Sequence, residues 1–263
     1  MNRRSLLRAV AASTLFTGLL AAPLAHADAL ADIKKAGVLR VAVPQDFPPF
    51  GSVGPDMKPQ GYDIDVATLL ARELAVKLEL VPVTSTNRVP FLTTGKVDLV
   101  VSSMGKNPER EKVIDFSAAY APFFNGVFGA KNDKVASAAD LAGKTVAVTR
   151  GSVEDLELSK IAPATAVIKR FEDNNATVSA YFSGQVQLMA TGNVVAASLA
   201  ENIKKRPLQT KFLIKDSPCY IGLGKGEAAL QGKVNDIIAK AKKNGALNKI
   251  ALHWLKAPLP ASL

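Results

Sequence analysis

The segment VVSSMGKNPERE, residues 100–111, places an arginine where electrostatics disfavours one. Asn107 and Pro108 are typical of a helix cap and of the first helical position, so Arg110 is expected in the first turn of a helix. That turn carries the positive end of the helix dipole and normally attracts Asp and Glu. Arg110 is therefore either a surface cation paired with a neighbouring acid, worth under ~1 kcal/mol, or a bidentate clamp for a ligand carboxylate.

Two strand–turn–helix junctions offer backbone N–H groups to an anion. Ser102 and Ser103 end an apolar strand before GKNPER, and Thr149 ends another strand before Gly151 and Ser152 in RGSVEDLEL. Ligands of parallel α/β sheets bind where strands end and helices begin. If both junctions face one cleft, they hold a small carboxylate or phosphate from two sides. The sequence contains no G-x-G-x-x-G or Walker pattern, which disfavours nucleotides.

Two aromatic residues, Phe47 and Phe50, lie in the Pro-rich loop PQDFPPFGSVGP after the first predicted strand. An aromatic side chain in such a loop either covers a bound ligand or packs the loop onto its own lobe. The sequence leaves both interpretations open.

The first 27 residues predict a secretory signal peptide. A charged segment, MNRRSLLR, precedes a short apolar stretch and the small-residue motif at residues 25–27, which is typical of a cleavage site. The apolar stretch is too short and too interrupted for a spanning helix. Arg3 and Arg4 also fit a twin-arginine export signal, so the export route stays open. The mature protein is expected to be soluble and periplasmic.

Charge and reactive side chains disfavour several functions. Lys and Arg number 33 against 23 Asp and Glu, and loss of the three arginines of the signal peptide lowers the net charge from +10 to +7. Because the lysines are spread along the chain, nucleic acid is not an expected partner. Cys219 is the single cysteine, and His253 is the one histidine outside the signal peptide. A Cys–His or Ser–His catalytic unit, a His-based metal site and a cofactor are therefore not expected.

Apolar strands alternate with amphipathic helices along the mature chain, a pattern typical of parallel β-α-β units covered on both faces. The alternation restarts near the middle of the chain without a flexible linker, which predicts two close-packed α/β lobes with a cleft between them. Predicted strands include residues 38–43, 77–83, 97–104 and 144–149, and predicted helices include 63–74, about 178–189 and 234–241.

Several longer segments resemble one protein family across almost the whole mature chain, about residues 33–256. They are GVLRVAVPQDFPPF, GYDIDVATLLARELAVKLELVPV, GKVDLVVSSM followed by PEREKVIDFSAAY, LAGKTVAVTRGS and NGALNKIALHWL. The chain resembles the exported solute-binding proteins of polar amino-acid ABC importers, family 3 of the extracellular solute-binding proteins. The PERxKxIDFS pattern after a VDLVxSS strand is the most specific part of this resemblance.

The resemblance implies the type II periplasmic-binding-protein fold, an α/β fold of two lobes, each a mostly parallel sheet flanked by helices. Lobe 1 is expected to be discontinuous, with residues 28–121 and 219–263, and lobe 2 to cover residues 125–214. Hinge segments are expected near residues 121–125 and 215–219. An amino acid or a related small carboxylate bridges the lobes, and the closed form docks on the membrane permease of the ABC importer. Such a protein is expected to act as a monomer.

The resemblance also implies roles in ligand binding. Arg110 matches the arginine that holds the ligand α-carboxylate, and Ser103 matches a strand-end residue that hydrogen-bonds the ligand. Phe47 matches the aromatic ring that packs over the ligand. Gly151 and Ser152 match the second-lobe turn whose N–H groups bind the carboxylate.

Three positions of the first lobe depart from the family pattern. Gly105 stands where a Ser or Thr is frequent, and Ser85 stands where a second aromatic residue is common. Pro44 takes the place of an acidic residue in the first loop, although Asp46 is close.

The departure with the largest consequence concerns the ligand ammonium. The second-lobe Asp that pairs with it aligns near Ala200, where Glu201 is adjacent and Glu154 lies in the second-lobe turn. A desolvated ammonium without a carboxylate partner costs roughly several kcal/mol. The ligand is therefore expected either to use one of these glutamates or to lack a free α-amino group.

Two other functions stay open on the same fold. Dehydratase-like enzymes use cleft carboxylates as general acids on prephenate-like substrates, and Asp46, Glu154 and Glu201 are the available acids. The lack of a clear carboxylate pair and of a usable histidine disfavours this interpretation, so the chain is not expected to be an enzyme. The second alternative is a periplasmic sensor that passes its closed conformation to a membrane receptor.

Overall fold

The structure is a computed structural model that describes residues 28–202 and 207–263. The signal peptide predicted for residues 1–27 lies outside this range. Among the described residues, no helix is both long enough and apolar enough to cross a membrane.

Strands and short helices alternate along the chain. The strands are β1 (Val38–Pro44), β2 (Asp46–Phe47), β3 (Gly51–Val53), β4 (Pro59–Gln60), β5 (Lys77–Val83), β6 (Leu99–Met104), β7 (Ile114–Ala121), β8 (Phe124–Gly129), β9 (Thr145–Thr149), β10 (Val167–Phe171), β11 (Leu188–Gly192), β12 (Gln209–Asp216) and β13 (Cys219–Gly224). The helices are α1 (Ala29–Ala36), α2 (Tyr62–Leu74), α3 (Arg88–Thr93), α4 (Pro108–Glu111), α5 (Val153–Ile161), α6 (Asn174–Phe182), α7 (Asn193–Asn202), α8 (Ala228–Lys243) and α9 (Ala246–Trp254), with a 3₁₀ turn at Ala138–Leu141.

Two five-stranded sheets organise the molecule. The first has the order β5-β1-β6-β13-β7, and the second has the order β10-β9-β11-β8-β12. In each sheet three strands run parallel, and the two strands next to the crossing segments are antiparallel to their neighbours. A small third sheet, β2-β3-β4, lies in the loop after β1.

The chain crosses between the two large sheets twice. It leaves the first sheet after Ala121 and enters the second at Phe124, then returns between Asp216 and Cys219. The two crossing segments contact each other, since the backbone N–H of Ser217 donates to the carbonyl of Phe123 at 3.1 Å. That these segments act as hinges, with the lobe boundaries expected from the sequence, stays a prediction.

The central strands form from continuous apolar runs. β6 reads LVVSSM and is buried along nearly its whole length because it lies between β1 and β13. A strand covered on both faces requires apolar residues at successive positions. Its carboxyl end, where the two serines stand, is therefore fixed by the core beneath it.

The helix predicted over residues 178–189 is wrong in its second half. The observed helix α6 ends at Phe182, and Gly184 adopts a left-handed φ of +80°, which stops it. Residues 188–192 form β11, a strand buried at every position between β8 and β9. A short apolar run inside a sheet has no alternation to separate it from a buried helix.

Gly61 provides a test of the backbone that carries α2. It precedes the helix with φ +140°, and a Cβ there would collide with the carbonyl of Phe50. We expect Gly61→Ala to lower the free energy of unfolding by about 2 kcal/mol. Gly232 is the matched control, because it lies inside α8 with open space where a Cβ would stand, so Gly232→Ala is expected to raise stability by up to about 1 kcal/mol. Urea denaturation measures both, and equal effects of the two substitutions would contradict this backbone.

Candidate functional site

A cavity lies between the loops at the ends of the two large sheets. We call it the cleft cavity. Residues singled out in the sequence line it from both sides of the cleft, among them Asp46, Phe47, Ser103, Gly105, Thr149 and Ser152. The structure thus brings most of the predicted residues to one place.

Arg110 lies behind the wall of the cleft cavity and joins the two halves of the molecule. It is 6% exposed, its Nη1 donates to the carbonyl of Gly105 at 2.7 Å, and its Nη2 donates across the cleft to the carbonyl of Gly151 at 2.9 Å. Asn107 caps the short helix α4, because its side chain accepts from the backbone N–H of Arg110. Desolvation, followed by repulsion from Arg88, lowers the pKa of Arg110. A guanidinium nevertheless remains charged at neutral pH.

Ser103 ends β6 in a strained conformation that a buried network supports. Its φ is +41°, and its backbone N–H donates to the hydroxyl of Tyr120 at 3.1 Å. That hydroxyl donates to the carboxyl of Asp63 at 2.6 Å, and the hydroxyl of Tyr62 donates to the carbonyl of Tyr120 at 2.7 Å. The three side chains beneath Ser103 are fully buried. The first junction is therefore held from below by α2 and β7.

The second junction is ordered by its own helix. Ser152 caps α5 by accepting from the N–H of Asp155, and the N–H of Gly151 donates to the carboxylate of the same residue. Gly151 has a φ of +72°, which only glycine adopts readily. Arg170 pairs with Asp155 at 2.8 Å and fixes that carboxylate. The conformation of the turn is thus fixed by contacts within its own half of the molecule.

A second contact across the cleft joins Asp46 to α6. The backbone N–H of Asn174 donates to Asp46 at 2.6 Å, and the side-chain amide of Asn174 donates at 3.1 Å. Thr149 contacts the same asparagine through its hydroxyl at 2.8 Å. Together with the contact of Arg110 to Gly151, this gives the arrangement that we call closed.

The glycine at position 105 is required by close packing. A Cβ there would collide with the hydroxyl of Ser217 and lie 3.0 Å from a methyl group of Val153. The first junction therefore approaches both the crossing segment and α5 so closely that a side chain at residue 105 would require the hydroxyl of Ser217 to move.

The structure does not bring Ala200 to the cleft. Ala200 and Glu201 are exposed residues near the end of α7, and neither lines the cleft cavity. Glu154 does line it and is 5% exposed. Desolvation raises the pKa of Glu154, although hydrogen bonds and the charges of Arg88 and Arg110 act in the opposite direction. Of the two glutamates named from the sequence, Glu154 is the one that lines the cleft cavity.

Two polar residues of the wall were missed in the sequence. Arg88 is 5% exposed at the first position of α3, and Asn125 is 1% exposed at the start of β8. A signal for Arg88 existed, because it is a cation in the first turn of a helix, like Arg110. No sequence signal distinguishes Asn125 from an ordinary polar residue.

A third missed feature is the ring of Phe123, which lines the cleft cavity from the first crossing segment. A Cβ on Gly192, at the junction of β11 and α7, would collide with this ring. Phe123 also contacts the rings of Phe47 and Phe50, with centroids 6.3 Å and 5.4 Å apart. The ring of Phe123, packed against two other aromatic rings, thus occupies the space that a side chain at residue 192 would fill.

Comparisons with known proteins find relatives over most of the chain. Residues 39–257 match the sequence profile of bacterial extracellular solute-binding proteins, family 3. The ABC transporter glutamine-binding protein GlnH of Bacillus subtilis (strain 168) is 30% identical over 234 residues, which cover 87% of this chain and 85% of that protein.

Two solved structures are similar in fold and in sequence. A solute receptor for L-cysteine of Neisseria gonorrhoeae has a TM-score of 0.80 and 32% identity, covering 86% of this chain and 93% of its own. The ancestral amino acid-binding protein AncCDT-1, a precursor of cyclohexadienyl dehydratase, has a TM-score of 0.79 and 33% identity, covering 86% of this chain and 99% of its own. The two-lobed fold class predicted from the sequence is confirmed.

The buried network beneath Ser103 predicts a pH dependence of stability. Desolvation raises the pKa of Asp63 to about 7, whereas the unfolded chain releases this proton near pH ~4. The folded state therefore binds the extra proton between these values, and the contribution of Asp63 to stability falls as the pH rises from about 4 to about 7, by at most about 1.4 kcal/mol per pH unit. The Asp63→Asn variant is therefore expected to become more stable relative to the wild type as the pH rises from about 4 to about 7, which urea denaturation at several pH values measures. The exposed Asp236→Asn is the control, and a constant difference for Asp63→Asn would contradict the assignment.

The packing at Gly105 predicts how the closed arrangement is lost. Gly105→Ala is expected to force the junction away from Ser217 and to increase the radius of gyration measured by small-angle X-ray scattering. Adding Ser217→Gly removes the colliding group and is expected to restore the wild-type value. If Gly105→Ala alone scatters like the wild type, this contact does not limit closure.

Proposed function

Because the chain belongs to the bacterial extracellular solute-binding proteins, family 3, we propose that it captures a small carboxylate-bearing solute in the cleft cavity and delivers it to the permease of an ABC importer. An amino acid or a close derivative is the proposed ligand, since the relatives named above are amino-acid-binding proteins by name. Closure of the lobes traps the ligand, and the closed form is the one that docks on the permease.

The buried charge of Arg110 is the observation that supports this function most directly. Its side-chain hydrogen bonds go to carbonyl oxygens, and among the described residues it has no carboxylate within salt-bridge distance. Arg110 does not line the cleft cavity while it is bound to Gly151, so a ligand carboxylate would take the place of that contact and use the donors of the guanidinium. Removing a cation from water without an anionic partner is costly, and a ligand carboxylate would remove that cost.

Closure of the two lobes follows from the positions of the proposed ligand contacts, which belong to different lobes. We assign residues 28–121 and 219–263 to lobe 1 and residues 125–214 to lobe 2, with hinges near 121–125 and 215–219. Arg110 and Ser103 then belong to lobe 1, and the N–H groups of the turn at residues 151–152 belong to lobe 2. A ligand that contacts both binds the closed form better than the open form and shifts the population toward it.

Glu154 is the proposed partner of a ligand amino group. It is the buried carboxylate of the lobe 2 wall, whereas Asp46 is already bound to Asn174 and Ala200 lies outside the cavity. A ligand ammonium beside Glu154 would favour its ionised form, which desolvation otherwise disfavours. A free α-amino group is therefore compatible with the cleft.

We propose that the mature chain acts in the periplasm as a monomer after removal of residues 1–27. Membership of an exported family supports export. Nucleic acid has no place in this function, and the permease is the expected protein partner.

One observation favours a second function. Glu154 is a buried acid with a raised pKa in the cavity wall, which is what a general acid requires, and AncCDT-1 is described as a precursor of cyclohexadienyl dehydratase. We place binding first because the relatives named above are amino-acid-binding proteins by name, and because Asp46, the other acid of the cavity wall, is bound to Asn174 and leaves Glu154 without a second free carboxylate. Ultraviolet assay of purified protein with prephenate and arogenate decides, and turnover lost in Glu154→Gln would reverse the order.

Arg110→Ala tests the proposed site. We expect it to weaken binding of the retained solute at least about 100-fold, because a buried charge-assisted contact is lost. Native mass spectrometry of the freshly purified protein detects the solute, and calorimetry with an amino-acid panel measures affinity. Arg72→Ala is the matched control, since Arg72 is exposed on α2. Wild-type affinity in Arg110→Ala would remove this residue from the site.

A further inference from the structure

Arg88 brings a second buried cation to the cleft cavity. Its Nη1 donates to the carbonyl of Ser102 at 2.5 Å, which holds the side chain against the end of β6. Its Nε is buried and has no hydrogen-bond partner among the described residues. The contact to Ser102 uses only the Nη1 donor of the guanidinium. It does not explain why the Nε–H group, which is also a donor, is buried without a partner.

The acids that surround Arg88 do not match its charge. Among the residues that the structure describes, no carboxylate lies within salt-bridge distance of it. Glu154 faces it from α5 and Asp63 from α2, and desolvation raises the pKa of both. Arg110 adds a second positive charge to the same region. The buried part of the cleft therefore holds two guanidiniums and acids that resist ionisation.

Asn125 adds unsatisfied groups to the same cavity. It stands at the beginning of lobe 2, lines the cleft cavity and is 1% exposed, and neither its Nδ2 nor its Oδ1 has a partner in the described part of the chain. Buried amide groups are nearly always hydrogen-bonded. Two side chains that line the cleft cavity, Arg88 and Asn125, thus carry buried polar atoms without a partner among the described residues.

We propose that Arg88 and Asn125 bind a second acidic group of the ligand, so that the transported solute is a small dicarboxylate, with or without an amino group. This inference rests on the proposed function, in which Arg110 and the turn at residues 151–152 take the first carboxylate. The buried charge is balanced because each carboxylate of the ligand pairs with one guanidinium. The side-chain amide of Asn125 donates to the second carboxylate, the one that pairs with Arg88. A ligand with a single carboxylate would leave Arg88 buried without an anion.

Matched pairs of ligands test the proposal on the wild-type protein. After extensive dialysis, calorimetry compares L-glutamate with L-glutamine and L-aspartate with L-asparagine, and adds succinate and 2-oxoglutarate as diacids without an amino group. At least one diacid is expected to bind about 100-fold or more tightly than every monoamide. Equal or tighter binding of a monoamide overturns the proposal.

Two variants locate the second group. Arg88→Gln is expected to lower the affinity for the preferred diacid at least about 100-fold and for its monoamide less than about 10-fold, while Arg72→Gln on the exposed face of α2 changes neither. Asn125→Ala leaves the contact of Arg88 to Ser102 intact and is expected to lower diacid affinity at least about 10-fold, so the test survives if Arg88→Gln fails to fold. Equal losses for diacid and monoamide in both variants overturn the assignment.

The panel separates this inference from the function beneath it. If ordinary monocarboxylic amino acids bind and diacids do not, the second acidic group is wrong and the solute-binding function stands. If no carboxylate of a wider panel binds and none is retained through purification, the proposed function fails and this inference fails with it.

Discussion

Burying two guanidinium groups between the lobes is the constraint on which the rest of this structure depends. Arg88 and Arg110 are both nearly inaccessible to solvent, and the carboxylate of the opposite wall, Glu154, is disfavoured in its charged form. Desolvation of unpaired charge is among the largest unfavourable terms in a folded protein. Both arginines belong to helices that flank the first sheet, so the positive charge is assembled on one lobe. The other lobe contributes backbone donors and the capped turn at Ser152.

Close backbone approach at two glycines shapes the space around that charge. Gly105 lets the first junction meet Ser217 and Val153, and Gly192 lets the ring of Phe123 enter the corner beside β11. Ser217 and Phe123 both lie in the crossing segments, where the chain passes between the sheets. The crossing segments therefore do more than connect the lobes, since they supply part of the cavity wall. A change in their conformation would alter the shape of the cavity at the same time as the angle between the lobes.

Much of the fold and part of the site could be predicted because they depend on local rules. The alternation of apolar runs predicted the parallel sheets, and the helix dipole singled out Arg110 after the end of β6. The same rule applied to TSTNRVPF would have found Arg88, which begins α3. The prediction for Ala200 failed for a traceable reason: residues 188–192 resemble the end of a helix, which hid the strand–helix junction at Gly192. Once β11 is a strand, the residues of this segment that line the cleft cavity are Ala190 and Thr191, near the end of β11. Asn125 and Phe123 could not be predicted, because their role comes from contacts between distant segments.

The distribution of charge between the lobes implies an order of events. In an open form, Arg88 and Arg110 would be solvated, and their mutual repulsion would be weakened by water. Closing without an anion removes that solvent and leaves both cations with carbonyl partners alone, so their desolvation cost offsets the contacts that Arg110 and Asp46 make across the cleft. Under the proposed function, an anion binds to lobe 1 first and offsets the cost of desolvating the two arginines. The donors of lobe 2 then contact the anion only in the closed form. The shift in population is limited by the difference in ligand affinity between the two forms. Under the proposed function, that difference grows with each buried cation that the ligand neutralises, so closure is expected to depend on the number of negative charges that the ligand carries.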